Sequence, residues 1–127
     1  MIDGILIALH PMALLWTLIG TAGGIVVGAI PGLGGGMLMA LALPLTFAMQ
    51  PAEAILLMIG IHVGSVSGGL ISATLLKMPG TPSSVMSTFD GYPMAVQGKA
   101  ARALSLGIGS SLVGGLIAGV ALIFLAP

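Results

Sequence analysis

Gly28-Ala29-Ile30-Pro31-Gly32-Leu33-Gly34-Gly35-Gly36 interrupts an otherwise apolar stretch, and its reading decides the fold. From Met12 to Ile30 the chain comes close to the roughly 20 apolar residues needed to span a bilayer. Pro31 removes a backbone donor and clashes with the preceding turn, while Gly32, Gly34, Gly35 and Gly36 add backbone freedom. At membrane depth such a break is tolerated only where the backbone faces protein or a water-filled cavity. Taken alone, it reads equally as a plain turn between two hydrophobic helices. A second interruption, Met78-Pro79-Gly80-Thr81-Pro82-Ser83-Ser84, tips the reading towards function, because paired helix breaks mark transporter binding sites.

Composition agrees with a membrane protein. Of 127 residues, 57% are hydrophobic and 5% charged, against roughly 25% charged in a soluble domain. Net charge is zero and no basic stripe exists to follow phosphates, which argues against nucleic acid. The absence of cysteine excludes disulfides, thiolate metal sites and cysteine nucleophiles. Asp3, with no Lys or Arg before the first apolar run, fits a signal peptide poorly, so the first helix is expected to be retained.

Outward from the first break, small residues recur every four positions. Gly20, Gly24 and Gly28 mark one helix, Gly60, Gly64 and Gly68 a second, and Gly107, Ser111, Gly115 and Gly119 a third. Stripes of this kind let helix backbones approach closely, so three of them predict a tightly packed bundle. The expected spans are about 12–30, 51–77 and 104–125, with re-entrant or half-helix segments at about 31–49 and 78–90, all within one domain. Met37 to Met49 is too short to cross alone, and Pro44 should break or end its helix. Pro51 and Glu53 suit the first turn of the next helix. Residues Met1 to Pro11 read as a short interfacial amphipathic segment with His10 at its boundary, and Trp16 as an interface anchor or a packing residue.

On the second long helix His62 and Ser65 share a face and form a polar pair in mid-membrane. The structural alternative is that each serine bonds its own helix's carbonyls and His62 bonds a neighbouring helix. Asp90-Gly91-Tyr92-Pro93 predicts a turn, and Met94 to Ala103 a short polar helix. The basic residues Lys77, Lys99 and Arg102 all fall between the second and third long helices, which the positive-inside rule places in the cytoplasm. No paired carboxylates, metal-spaced His/Cys cluster or Ser-His-Asp arrangement is present, so no enzyme activity, metal or cofactor is expected.

At Pro31-Gly32-Leu33-Gly34, Leu43-Pro44-Leu45-Thr46-Phe47, Pro79-Gly80-Thr81-Pro82 and Asp90-Gly91-Tyr92-Pro93-Met94 the sequence resembles the large membrane subunit (TctA) of the tripartite tricarboxylate transporters. The resemblance continues through Gln97-Gly98-Lys99-Ala100 and Arg102-Ala103-Leu104 and covers nearly the whole chain from about Gly20. It implies a multi-pass secondary transporter of the bacterial inner membrane that takes up a tricarboxylate or other carboxylate. Its implied partners are a periplasmic solute-binding protein and a small membrane subunit. A coupling ion, Na+ or H+, is the one non-protein component implied, as in a symporter. Subunits of that family are several times longer, so these residues resemble its first portion, which implies a truncated or split product or helices supplied from elsewhere. Ser67-Gly68-Gly69-Leu70 departs from the family's pattern of a Tyr before and a Ser after the Gly-Gly pair, which leaves substrate identity open.

The expected architecture is thus an all-α polytopic membrane protein with helices broken at Pro-Gly loops. Substrate is expected at Pro31, Gly32, Leu33, Gly34 and Gly35 and at Pro79, Gly80, Thr81, Pro82, Ser83 and Ser84, where backbone N–H groups and hydroxyls suit a carboxylate. His62 and Ser65 are candidates for a coupling or polar path. The alternatives are a non-transporting structural subunit and a pore component with the Gly-rich loop as filter.

Overall fold

In the computed structural model the described residues are Leu6 and residues 9–125. The expected interfacial segment of residues 1–11 lies largely outside them. Among the described residues the ordered elements are five α-helices and one short 3-10 turn, with no strand. They are α1 (Pro11–Gly28), α2 (Gly35–Thr46), α3 (Pro51–Leu76), the 3-10 turn Pro82–Ser84, α4 (Ser87–Val96) and α5 (Ala100–Leu125). By length and composition α1, α3 and α5 can cross a membrane, with mean hydropathies of 1.6, 2.0 and 2.2.

Prolines start α1 and α3. Pro11 and Pro51 occupy the first turn, where the missing N–H would be unbonded anyway, and Glu53 adds negative charge to the start of α3. Pro44 lies inside α2, which ends two residues later at Thr46. At the other end of α3, Lys77 closes the helix in the left-handed conformation (φ 57°) and sets its ammonium 5.5 Å from the centroid of the Tyr92 ring.

The most extensive contact in the molecule joins α1 to α3. A Cβ added to Gly20 would meet the backbone of Leu57 and Ile61, at Gly24 that of Ile61 and Ser65, and at Gly28 that of Ser65. In return Gly60 faces Thr17 and Thr21, Gly64 faces Thr21 and Ile25, and Gly68 faces Ile25 and Ala29. The two glycine stripes interlock, each seated against the other's backbone. Partner numbers rise together along both helices, so α1 and α3 run parallel. Segment 29–50 therefore returns the chain from the end of α1 to the level of its start. α5 runs the other way, with Gly107 against Leu70 and the following turns towards His62.

Three expectations change here. Beyond Gly107, which meets Leu70 of α3, the third stripe has no helix packed on its glycines: Gly115 and Gly119, like Gly109 and Gly114 on the other faces, have nothing within 4 Å of an added Cβ, because α5 leans on the bundle only by its first turns. Asp90-Gly91-Tyr92-Pro93 is helical, within α4, because Gly91 packs against Thr74 of α3 and the Pro93 ring falls in the last turns. The helix expected over Met94 to Ala103 is split at Gly98 (φ 78°). There the N–H of Gly98 bonds the Ala95 carbonyl and that of Lys99 the Met94 carbonyl, the pairing of a Schellman motif. Trp16 is half-buried with its Nε1 shielded, packed into the protein.

Candidate functional site

The two Pro-Gly breaks meet. Both follow the ends of the parallel helices, so both arise at one end of the bundle. An added Cβ at Gly80 would lie 2.5 Å from the Gly28 carbonyl oxygen and 3.1 Å from the Ser72 hydroxyl, and one at Gly34 would lie 3.7 Å from the Gly80 carbonyl oxygen. Gly35, buried at the start of α2, faces the Ser65 side chain so closely that a Cβ there would fall on its Oγ. Backbone packs on backbone here, and the glycines are what permit it. Gly32, with φ 89°, and Gly36 are the open glycines of the first break, both exposed with nothing within 4 Å of an added Cβ.

The second break is held by its own hydroxyls. Thr81 caps the 3-10 turn: its N–H bonds Ser84 Oγ at 3.2 Å, and Ser84 Oγ donates to the Thr81 carbonyl at 2.8 Å. Thr81 Oγ1 pairs with Ser83 Oγ at 3.1 Å and with Ser84 Oγ at 3.2 Å. The Thr81 side chain also sits against Gly69 of α3. Pro79 and Pro82 are exposed.

On the side of that turn facing α5 lies a cavity of about 690 Å³ between α3, the turn and α5. Its polar lining consists of His62, Ser67, Ser83, Ser84, Ser87, Ser110 and Ser111, set among apolar residues such as Val63, Val66, Leu70 and Leu112. A carboxylate needs donors, and the hydroxyls differ in what they have left to give. Ser67, Ser84 and Ser110 donate to the carbonyls of Val63, Thr81 and Gly107, which leaves lone pairs rather than protons facing inward. His62 and Ser83 are exposed towards the cavity, and Ser87 and Ser111 make no self-directed bond of this kind among the described residues.

The expected site residues thus fall into two groups. Ser83, Ser84 and His62 line the cavity. Gly34, Gly35, Gly80 and Thr81 belong to the packed junction beside it, and neither they nor Pro31, Gly32, Leu33, Pro79 and Pro82 are part of its lining. Ser65 belongs with the junction, since it is 2% exposed and donates to the His62 carbonyl at 2.9 Å. Like Ser67 and Ser72, it follows the structural alternative of bonding its own helix. Ser87, Ser110 and Ser111 are the lining residues that sequence reasoning missed. Ser111 had been placed in a packing stripe by its four-residue spacing, which does not reveal whether a helix or a cavity lies opposite. Among the described residues no group of three or more His, Cys, Asp or Glu side chains could hold a metal ion.

Residues 14–127 match a family described as the Tripartite tricarboxylate transporter TctA family. A curated relative from Agrobacterium vitis, named "Uncharacterized 52.8 kDa protein in TAR-I ttuC' 3'region", is 36% identical over 120 residues. That stretch covers 94% of this chain and 24% of the relative, so the chain spans about a quarter of the length of the curated relative it matches. No solved structure matches.

Proposed function

Because the chain belongs to the tripartite tricarboxylate transporter TctA family, we propose that it forms part of the membrane path of a secondary transporter for a carboxylate. In this reading it works in the bacterial inner membrane with a small membrane subunit and a periplasmic solute-binding protein, and a Na+ or H+ gradient drives uptake. The observation that carries the carboxylate assignment is the hydroxyl-rich cavity. In a chain with three basic residues in all, the imidazole of His62 and the hydroxyls of Ser87 and Ser111, with that of Ser83 if it turns from Thr81, are the side-chain donors available to hold an anion in apolar surroundings.

The packed junction of the two breaks then has a supporting role. It fixes the 82–84 turn, and so Ser83 and Ser84, against α3. Since α1 and α3 run parallel, a membrane-spanning α1 requires segment 29–50 to cross back. α2 supplies 12 residues of that path, about 18 Å of helix, and its flanks the rest, so we read this segment as a half-helix crossing. Lys77, Lys99 and Arg102 all lie at the junction end, which we assign to the cytoplasmic side.

Binding of radiolabelled citrate, tartrate and succinate to the chain co-expressed with its partner subunits tests the reading. Saturable binding of at least one is expected. Ser83→Ala and Ser111→Ala should each weaken it, since a hydrogen bond to a charged group is worth about 1.5–3 kcal/mol, roughly ten- to a hundredfold in affinity. Thr81→Val should instead lower thermal stability, because it removes the cap of the turn. Carboxylate binding untouched by both serine variants would remove the cavity as the site.

A further inference from the structure

The three basic residues of this protein gather at one end of the bundle. Lys77 closes α3 beside the Tyr92 ring of α4. Lys99 links α4 to α5, its N–H bonded to the Met94 carbonyl at 2.9 Å and its carbonyl accepting the Ala103 N–H at 3.1 Å. Arg102 stands in the first turn of α5, four residues before Leu106 and so on the same helical face. All three are exposed. Among the described residues Asp90 is the one acid at this end, since Glu53 starts α3 at the other, which leaves three positive charges against one negative.

A second cavity, of about 450 Å³, begins beside these residues as a groove between α3, α4 and α5. Gly91, Ala103 and Gly107 keep its floor low, and Leu70, Met94 and Leu106 give it apolar walls. Met94 and Ala103 are the residues whose backbone Lys99 bonds, and Leu106 follows Arg102 by one turn. Leu106 is 59% exposed and none of the apolar window of α5 is buried, so the groove opens sideways, towards the bilayer. Charge lies at one end of it, and apolar surface runs inward from there.

We propose that this groove holds an acyl chain of an anionic phospholipid, phosphatidylglycerol, with its phosphate among Lys77, Lys99 and Arg102. Lys and Arg donate charge-assisted hydrogen bonds to phosphate oxygens, and basic pockets between helix ends suit anionic headgroups. The glycerol hydroxyls of the headgroup offer donors to the Asp90 carboxylate, from which a bare phosphate would meet only repulsion. Tyr92, amphipathic like the aromatic residues of membrane interfaces, marks the headgroup level. One turn deeper, Leu106 and Met94 hold the chain in one place, while the cations select this lipid from its neighbours. Lipid binding does not depend on the carboxylate reading; only its assignment to the cytoplasmic leaflet uses the orientation given above.

The test reconstitutes the full chain in phosphatidylcholine bilayers without carboxylate and adds spin-labelled phosphatidylglycerol or spin-labelled phosphatidylcholine. The motionally restricted fraction of each label gives their relative association constants. The wild-type protein is expected to prefer phosphatidylglycerol. Lys99→Gln and Arg102→Gln should each lower that preference about fivefold. Leu106→Trp fills the groove without changing charge and should lower it too. Glu53→Gln changes charge at the other end of α3 and should leave it as in the wild type. The replaced side chains of Lys99, Arg102 and Leu106 are exposed, so these variants should fold, and thermal unfolding checks that they do. Equal association of the two lipids with the wild-type protein would overturn the proposal. So would an unchanged preference in Leu106→Trp, which would reduce it to diffuse attraction of anionic lipid to a positive end. Displacement of the label by equimolar glycerol phosphate would make the rim a plain phosphate site. Loss of the label on co-expression with the partner subunits would make the groove a protein contact, and either result overturns the proposal. Since carboxylate is absent throughout, failure here leaves the citrate experiment standing, and the reverse holds too.

Discussion

The glycines of α1 and α3 and the small residues of α5 share a four-residue spacing, but they live in different surroundings. In the first pair every stripe glycine is buried against the partner's backbone, and none admits a Cβ without moving main chain. In α5, Gly109, Gly114, Gly115 and Gly119 face open space, and none of its apolar window is buried, against 39% for α3. Spacing makes a helix face smooth enough to dock on; whether another backbone arrives is decided elsewhere in the fold. In a bilayer the bare face of α5 is compatible with lipid, whose tails are as apolar as its Leu, Ile and Val side chains. The difference lies in the packing and not in the sequence pattern.

The sharpest way to break this comparison is to put the same large residue into each stripe. Gly64→Leu drives a side chain into the Thr21 carbonyl, and since helix backbone cannot yield as a side chain can, the cost should exceed the about 1–3 kcal/mol typical of overpacking. Gly115→Leu adds apolar surface to an open face and should stay within about 0.5 kcal/mol of wild type. Thermal unfolding of the purified proteins in one detergent reads both. Equal melting temperatures would show that the interlocked stripes do not hold α1 to α3.

A smaller effect is expected at the junction of the breaks, where the same contrast appears within a few residues. Gly80→Ala would place its methyl 2.5 Å from the Gly28 carbonyl oxygen, with Gly69 and Ser72 also close, so a loss of about 1–3 kcal/mol is expected. Gly34→Ala meets only the Gly80 carbonyl oxygen at 3.7 Å, at a φ of −74° that alanine adopts freely. The lower chain entropy of alanine there opposes its weaker performance as an N-cap, and the sum should lie within about 1 kcal/mol of zero. If urea unfolding instead ranks Gly34→Ala as the more damaging change, the first break is held by contacts other than those to Gly80.

Much of the helical plan was legible in the sequence, for identifiable reasons. Long apolar runs and Pro-Gly interruptions act locally, so α1, α3, α5 and the two breaks follow from composition and breaker chemistry. The pairing of Gly20, Gly24 and Gly28 with Gly60, Gly64 and Gly68 was readable as two smooth faces, but not the parallel direction in which they meet. Asp90-Gly91-Tyr92-Pro93 misled because every one of those residues favours turns locally, while Gly91 is wanted by its tertiary neighbour Thr74. The signal that ends α4 was present in Gly98, a glycine one place past the C-cap Gln97. Of the cavity, Ser83, Ser84 and His62 were found because they sit at a break or are polar in mid-helix. Ser87, Ser110 and Ser111 were missed because opposite walls of a cavity come from helices far apart in sequence.

The mildest contrast sets side chains against these backbone contacts. Where α3 ends, Lys77 is held in the left-handed region and Tyr92 of α4 lies beneath its ammonium. A non-glycine residue costs roughly 1–2 kcal/mol in that conformation, while a cation–π contact at an exposed site returns about 0.5–1 kcal/mol. Lys77→Gly therefore removes a cost and a benefit of similar size, and the melting temperature should hardly move. In a Tyr92→Leu background the benefit is already gone, so the same substitution should stabilise by about 1 kcal/mol. The difference between the two backgrounds isolates the pair, because each single change removes the contact without building another. If Lys77→Gly acts identically in both, the ring contributes nothing to the end of α3. The α3–α4 connection would then rest, like that of α1 and α3, on glycine alone, with Gly91 against Thr74 as its counterpart.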